Sequence, residues 1–150
     1  MAGRGVKQIL AAVDFSPISK AVVEQAARLA EAFSAELTLL HVAAPDPDFV
    51  GFEAGPQTVR DHRAHELRDE HRNIQTIAED LRNRSISVRA LLIEGPSVEK
   101  ILAEATRIGA DVIVIGSHGH GALFRVLLGS VSEGVVRAAR CPVLIVPAAH

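Results

Sequence analysis

The chain has 150 residues, five Phe, no Trp and no Tyr. Its core is therefore aliphatic, and aromatic platforms for stacking nucleic-acid bases are absent. A formal net charge of −2, with acids and bases interleaved, offers no basic surface for a polyanion or an anionic membrane.

Residues 6–13 read as a strand of apolar residues, closed by Asp14-Phe15-Ser16-Pro17. Its apolar run, residues 9–13, is too short for a signal-peptide core or a membrane span, so the chain is expected to be cytoplasmic and free of the membrane. Pro17 suits the first turn of a helix and Ser16 its cap. That helix carries Val22, Val23, Ala26, Ala27, Leu29, Ala30 and Phe33 on one face. Residues 36–42 read as the second strand. Residues 44–57 form a long loop rich in Pro, Asp and Gly, with Phe49, Val50 and Phe52, of a length that belongs to functional or disordered segments.

Residues 58–82 have helix composition with a narrow apolar stripe of Val59, Leu67, Ile74 and Leu81. The charged run 60–72 mixes both signs and reads as a solvated face. His62 and His65 lie one turn apart but His71 falls on the other side, which argues against a three-ligand metal site. Residues 87–93 read as the third strand. Ser97 opens a helix bearing Val98, Ile101, Leu102, Ala105 and Ile108. Residues 111–115 are the fourth strand, apolar enough to be buried on both faces. Cys141, the only cysteine, has no internal disulfide partner and reads as a buried, inert thiol before Pro142 and a fifth strand, Val143–Val146. Strands alternating with helices imply parallel pairing through right-handed crossovers. The expectation is one domain over residues 1–150, a doubly wound α/β sandwich.

The chemistry gathers where the fourth strand ends. It runs into Gly116-Ser117-His118-Gly119, followed after nine residues by Gly129-Ser130. Glycines let backbone N–H groups approach an anion without an intervening Cβ. Ser130-Val131-Ser132-Glu133 has the spacing of a capping box, and so marks a helix N-terminus that suits phosphate. In open parallel sheets ligands sit at the carboxyl ends of the strands, where strand order reverses. Asp14, ending the first strand, either faces this crevice to take ribose hydroxyls or heads an Asx-turn into the first helix. A Walker loop is absent, and the first strand lacks the Rossmann G-x-G-x-x-G.

Ala11-Ala12-Val13-Asp14-Phe15-Ser16, Leu39-Leu40-His41-Val42, the glycine series 116–130 and Cys141-Pro142-Val143-Leu144-Ile145-Val146 together resemble the universal stress protein family, in its ATP-binding branch. The resemblance covers nearly the whole chain, most loosely over residues 44–82. It implies a five-stranded parallel sheet of order 3-2-1-4-5 with helices on both faces, Rossmann-like and similar to the adenine nucleotide alpha hydrolases. It implies that Ala12, Val13, Val42 and Ile115 line an adenine pocket and that Asp14 and Gly116 hold the ribose. Gly119, Gly129, Ser130, Val131 and Ser132 would cradle the phosphates of ATP, AMP or another adenine nucleotide, with Mg2+ alongside. Pairing of Val143, Leu144, Ile145 and Val146 with a second copy would make a homodimer; the alternative is an edge covered by the C-terminal tail.

The function this implies is a nucleotide-dependent stress-response switch or chaperone-like module, with residues 44–57 folding over the nucleotide as a lid. Two alternatives stand beside it: a slow ATPase or nucleotide hydrolase on the same fold, and a nucleotide-free interaction protein. Efficient phosphoryl transfer needs a cationic clamp and a positioned base. None of the three lysines (Lys7, Lys20, Lys100) lies in the glycine string, which has only His118, His120 and Arg125 near it. No catalytic residue is assigned. The histidines read as loop residues facing water, and residues 123–128 as core or dimer packing.

Overall fold

The computed structural model describes residues 4–44, 57–118 and 128–148. Within them lie β1 (Gln8–Ala12), α1 (Ser19–Phe33), β2 (Glu36–Ala43), α2 (Gln57–Asn83), β3 (Val88–Glu94), α3 (Ser97–Ile108), β4 (Val112–Gly116), α4 (Ser130–Ala138) and β5 (Val143–Val146). The strands form one sheet in the order β3-β2-β1-β4-β5, and every neighbouring pair is parallel. This is the expected fold class and strand order.

Alternation along each strand divides the core into two layers. Ile9, Ala11, Leu37, Leu39 and Val114 face α1 and the second half of α2, where Ile74, Ala78 and Leu81 are buried. Leu10, Leu40, Ile113 and Ile115 face α3 and α4. Ile113, Val114 and Ile115 are all buried, so β4 is covered on both sides as its unbroken apolar run requires. β5 is an edge strand, with Leu144 38% exposed.

Several local expectations shift. Phe33, placed on the buried face of the first helix, is 47% exposed at the last turn of α1. Val59 is exposed too, because only the later part of α2 packs on the sheet. Gln57 belongs to α2 rather than to the preceding loop. Cys141 is half-buried rather than buried; desolvation, then the charge of Asp111, raises its thiol pKa and keeps it protonated. The proposed lid residues Phe49, Val50 and Phe52, and Gly119, His120 and Arg125 with most of the apolar stretch 123–128, lie outside the described residues.

Asp111 ties the amino end of β1 to that of β4. Its Oδ2 accepts the Lys7 and Gln8 N–H groups at 2.8 and 2.9 Å. These two bonds, Lys7 first, hold its carboxyl below the usual aspartate value. A depressed folded pKa contributes stability above the unfolded value of about 3.9, and that contribution is lost as pH falls through the folded value. Asp111→Asn should therefore cost about 1–2 kcal/mol at neutral pH and lose less stability than the wild type on acidification below about pH 4. Urea melts across that range measure it; parallel acid dependence in the two proteins would refute the assignment.

Candidate functional site

An open cleft of about 470 Å³ lies at the carboxyl ends of β1 and β4. α1 and α4, the helices that follow these two strands, cover opposite faces of the sheet. The strand order therefore reverses here, and the helices diverge to leave a crevice. Ala12, Val13, Asp14, Val42, Ile115, Gly116, Gly129, Ser130, Val131 and Ser132 all line it. Every described residue singled out for a nucleotide is thus brought to one place; Gly119 lies outside the described residues.

Ala12, Val42 and Ile115 make an apolar wall with Leu40 and Ile101 behind it. Asp14 heads the Asx-turn and also lies at the cleft. Its Oδ1 accepts the Ser16 N–H and the Ser19 hydroxyl, each at 2.9 Å. These bonds shape residues 14–18 into turns, so α1 starts at Ser19 rather than at Pro17. Its cap position is Ile18, without a side-chain cap. Ser16 is not the cap. The turn places Phe15 at φ 59°, a left-handed conformation that non-glycine residues seldom adopt.

The start of α4 also differs from the capping box. The N-cap is Gly129, again with no side-chain cap, and Ser130 is the first helical residue. The cause is tertiary: the Gly129 N–H donates to the Ser117 carbonyl at 2.6 Å. That bond holds residue 129 extended beside the β4 exit. A Cβ on Gly129 would meet the His118 Cα at 3.2 Å, so glycine serves the close passage of two loop segments. Its N–H is engaged there and does not face the cleft. The first intrahelical bond of α4 runs from the Glu133 N–H to the Gly129 carbonyl. The N–H groups of Ser130, Val131 and Ser132 therefore have no intrahelical acceptor, and the helix dipole makes that end electropositive. The buried Ser132 hydroxyl donates to the Gly116 carbonyl at 2.5 Å, tying α4 to β4.

Ile18, Ser19, Val22 and Ser97 also line the cleft. Ser97 stands at the amino end of α3, directly after β3, and the carboxyl-end rule could have found it. Ile18, Ser19 and Val22 carry no such signal, because only the Asp14 turn brings them over the sheet. Asp14 and His118 are the ionisable side chains among the described lining residues. The His118 Nδ1 lies 3.0 Å from the Ser117 hydroxyl. Among the described residues, no helix is long and apolar enough to cross a membrane.

Comparison with known proteins agrees with this architecture. The family model described as "Universal stress protein family" matches residues 5–147. A universal stress protein of Thermus aquaticus is 36% identical over 143 residues, covering 93% of this chain and 98% of its own length. The solved structure of protein MJ0577 from Methanocaldococcus jannaschii superimposes with a TM-score of 0.81 at 27% identity, covering 98% of this chain and 99% of that one. A universal stress protein solved in complex with cAMP gives a TM-score of 0.65 over 96% of this chain and 98% of that one, and at 21% identity shares the fold alone. A family match along almost the full length, on the sheet order and crevice described above, means that this chain belongs to the universal stress protein family.

Proposed function

We propose that the cleft binds an adenine nucleotide, ATP in the first instance, and that the protein acts as a nucleotide-dependent switch or chaperone-like module in the stress response. The observation that carries this reading is one crevice joining an apolar wall to an electropositive helix end. Ala12, Val13, Val42 and Ile115 suit a flat, weakly polar base. Asp14 and the Gly116 backbone are within the same cleft for the ribose. The N–H groups of Ser130, Val131 and Ser132, which lack intrahelical acceptors, suit phosphate oxygens, with Gly129 shaping the connection and Mg2+ accompanying the phosphates. The volume is within the roughly 300–1,000 Å³ of small-molecule sites. The cAMP complex of a distant structural neighbour is consistent with this use of the fold.

None of the three lysines lies in the glycine series 116–130, and we read the nucleotide as held rather than turned over rapidly. Hydrolysis should stay below about 1 s⁻¹, under the range of ordinary enzymes. We further propose a cytoplasmic homodimer paired through β5, where the exposed Leu144 lies on a strand with no further neighbour among the described residues.

Native mass spectrometry of the purified protein should detect a bound adenine nucleotide, and calorimetry should measure its affinity. Asp14→Ala is expected to weaken binding about 10- to 100-fold, the loss of one or two charged hydrogen bonds. Silence toward every adenine nucleotide would refute the reading. Unchanged affinity in Asp14→Ala would remove the ribose from this position.

A further inference from the structure

We propose that His41, braced from behind by Glu70, is the strut that positions the Val13–Ser16 segment, and through it the nucleotide affinity of the cleft. The inference rests on the adenine-nucleotide reading above, and makes His41 a positioning residue rather than a ligand.

His41 is on β2, on the sheet face opposite Leu40 and Val42, which line the cleft. Its ring is buried, and its Nδ1 lies 2.7 Å from the Val13 carbonyl. A carbonyl can only accept, so Nδ1 carries a hydrogen. The same ring packs against Phe15, with centroids 4.5 Å apart. His41 thus grips the two residues flanking Asp14, and one of them, Phe15, has a left-handed backbone that needs such support.

The far side of the ring faces a carboxylate. His41 Nε2 and Glu70 Oε2 are 3.2 Å apart, both atoms are shielded from solvent, and neither has a hydrogen-bond partner. With Nδ1 protonated, a neutral His41 turns the Nε2 lone pair toward the lone pairs of a charged Glu70. The two facing atoms, both shielded from water, repel at that distance, although the Glu70 side chain as a whole is 31% exposed. One proton, on either atom, converts the contact into an attraction.

Other charges nearby have their own partners. On α2, Arg63 reaches Glu66 and the Ala44 carbonyl, Asp69 pairs with His65 and Arg72, and His71 is exposed. In the β1–α1 turn, Asp14 binds Ser16 and Ser19. On β3, the register partner of His41 is Leu92, which carries no charge.

Two variants separate this from a merely structural role. Glu70→Gln keeps a donor for Nε2, because its amide can hydrogen-bond to the ring, whereas Glu70→Ala removes the brace. AMP affinity should fall about tenfold in Glu70→Ala, as the loss of one buried polar contact implies, and be restored to within about twofold of the wild type in Glu70→Gln. Wild-type affinity in Glu70→Ala, or a loss in Glu70→Gln equal to that in Glu70→Ala, would overturn the proposal.

A ligand-free measurement separates failure of the strut from failure of the nucleotide reading. Amide protection of Asp14, Phe15 and Ser16 should be lower in Glu70→Ala than in the wild type and restored in Glu70→Gln. If no nucleotide binds any of the three proteins, such a difference upholds the strut while the cleft reading fails. Equal protection in all three proteins would sink the strut.

Discussion

Ile113→Ala is expected to lower the unfolding free energy by about 2–5 kcal/mol, the cost of deleting a fully buried aliphatic chain. Ile113 is 0% exposed on β4, between β1 and β5, and belongs to the layer formed with Leu10, Leu40, Ile101 and Val135. Parallel strands hold the backbone on both sides of it, so the cavity cannot close by a local shift. At this chain length about 3 kcal/mol corresponds to a melting temperature lower by roughly 6–12 °C. The comparison variant is Leu144→Ala on β5, whose side chain is 38% exposed. Measured on the monomer it should cost no more than about 0.5 kcal/mol. Equal losses at the two positions would contradict the two-layer core.

Gly116→Val is expected to damage the cleft and the fold together. A Cβ at Gly116 would lie 2.9 Å from Ile18 Cγ2, 3.1 Å from Ile18 Cδ1 and 3.3 Å from the His118 carbonyl oxygen. Ile18 lines the cleft and forms the entry to α1, so it cannot retreat without moving the turn that carries Asp14. Overpacking of this kind costs about 1–3 kcal/mol, and adenine-nucleotide affinity should fall at least about tenfold. Truncating Ile18 supplies the check. In the double variant Gly116→Ala, Ile18→Ala, the atoms in closest conflict are gone, and the two effects should add to less than their sum. Simple additivity in thermal melts would mean that the predicted clash is not what limits this position.

The two-sided burial of β4 was legible from its unbroken apolar run, and parallel pairing from the alternation of strands and helices; the strand order came only with the family resemblance. Asp14 was legible because it ends the first strand, where such folds place their crevice; Ala12, Val13, Val42 and Ile115 came with the family resemblance. Helix entries were not legible. Ser16-Pro17 and Ser130-Val131-Ser132-Glu133 both carry starting signals, yet neither serine caps its helix. In the first case the Asp14 carboxylate takes the Ser16 N–H; in the second the Ser117 carbonyl takes the Gly129 N–H. His41 illustrates the same limit. Its place in Leu39-Leu40-His41-Val42 was visible as part of a motif, while its role needed Val13, Phe15 and Glu70 around one ring.

What this chain determines by itself is therefore periodic: which residues turn inward, how the elements alternate, and at which end of the sheet small and polar residues gather. Those properties depend on neighbours two to four positions away, and pleat or helix pitch carries them directly. What only the tertiary structure decided is where individual hydrogen-bonding groups find partners. Ser132 reaches Gly116 across 16 positions, Asp111 reaches Lys7 across 104, and His41 reaches Val13 across 28. Burial obliges Ser132 and His41 to find partners, but for all three groups the fold determines which partner comes within reach.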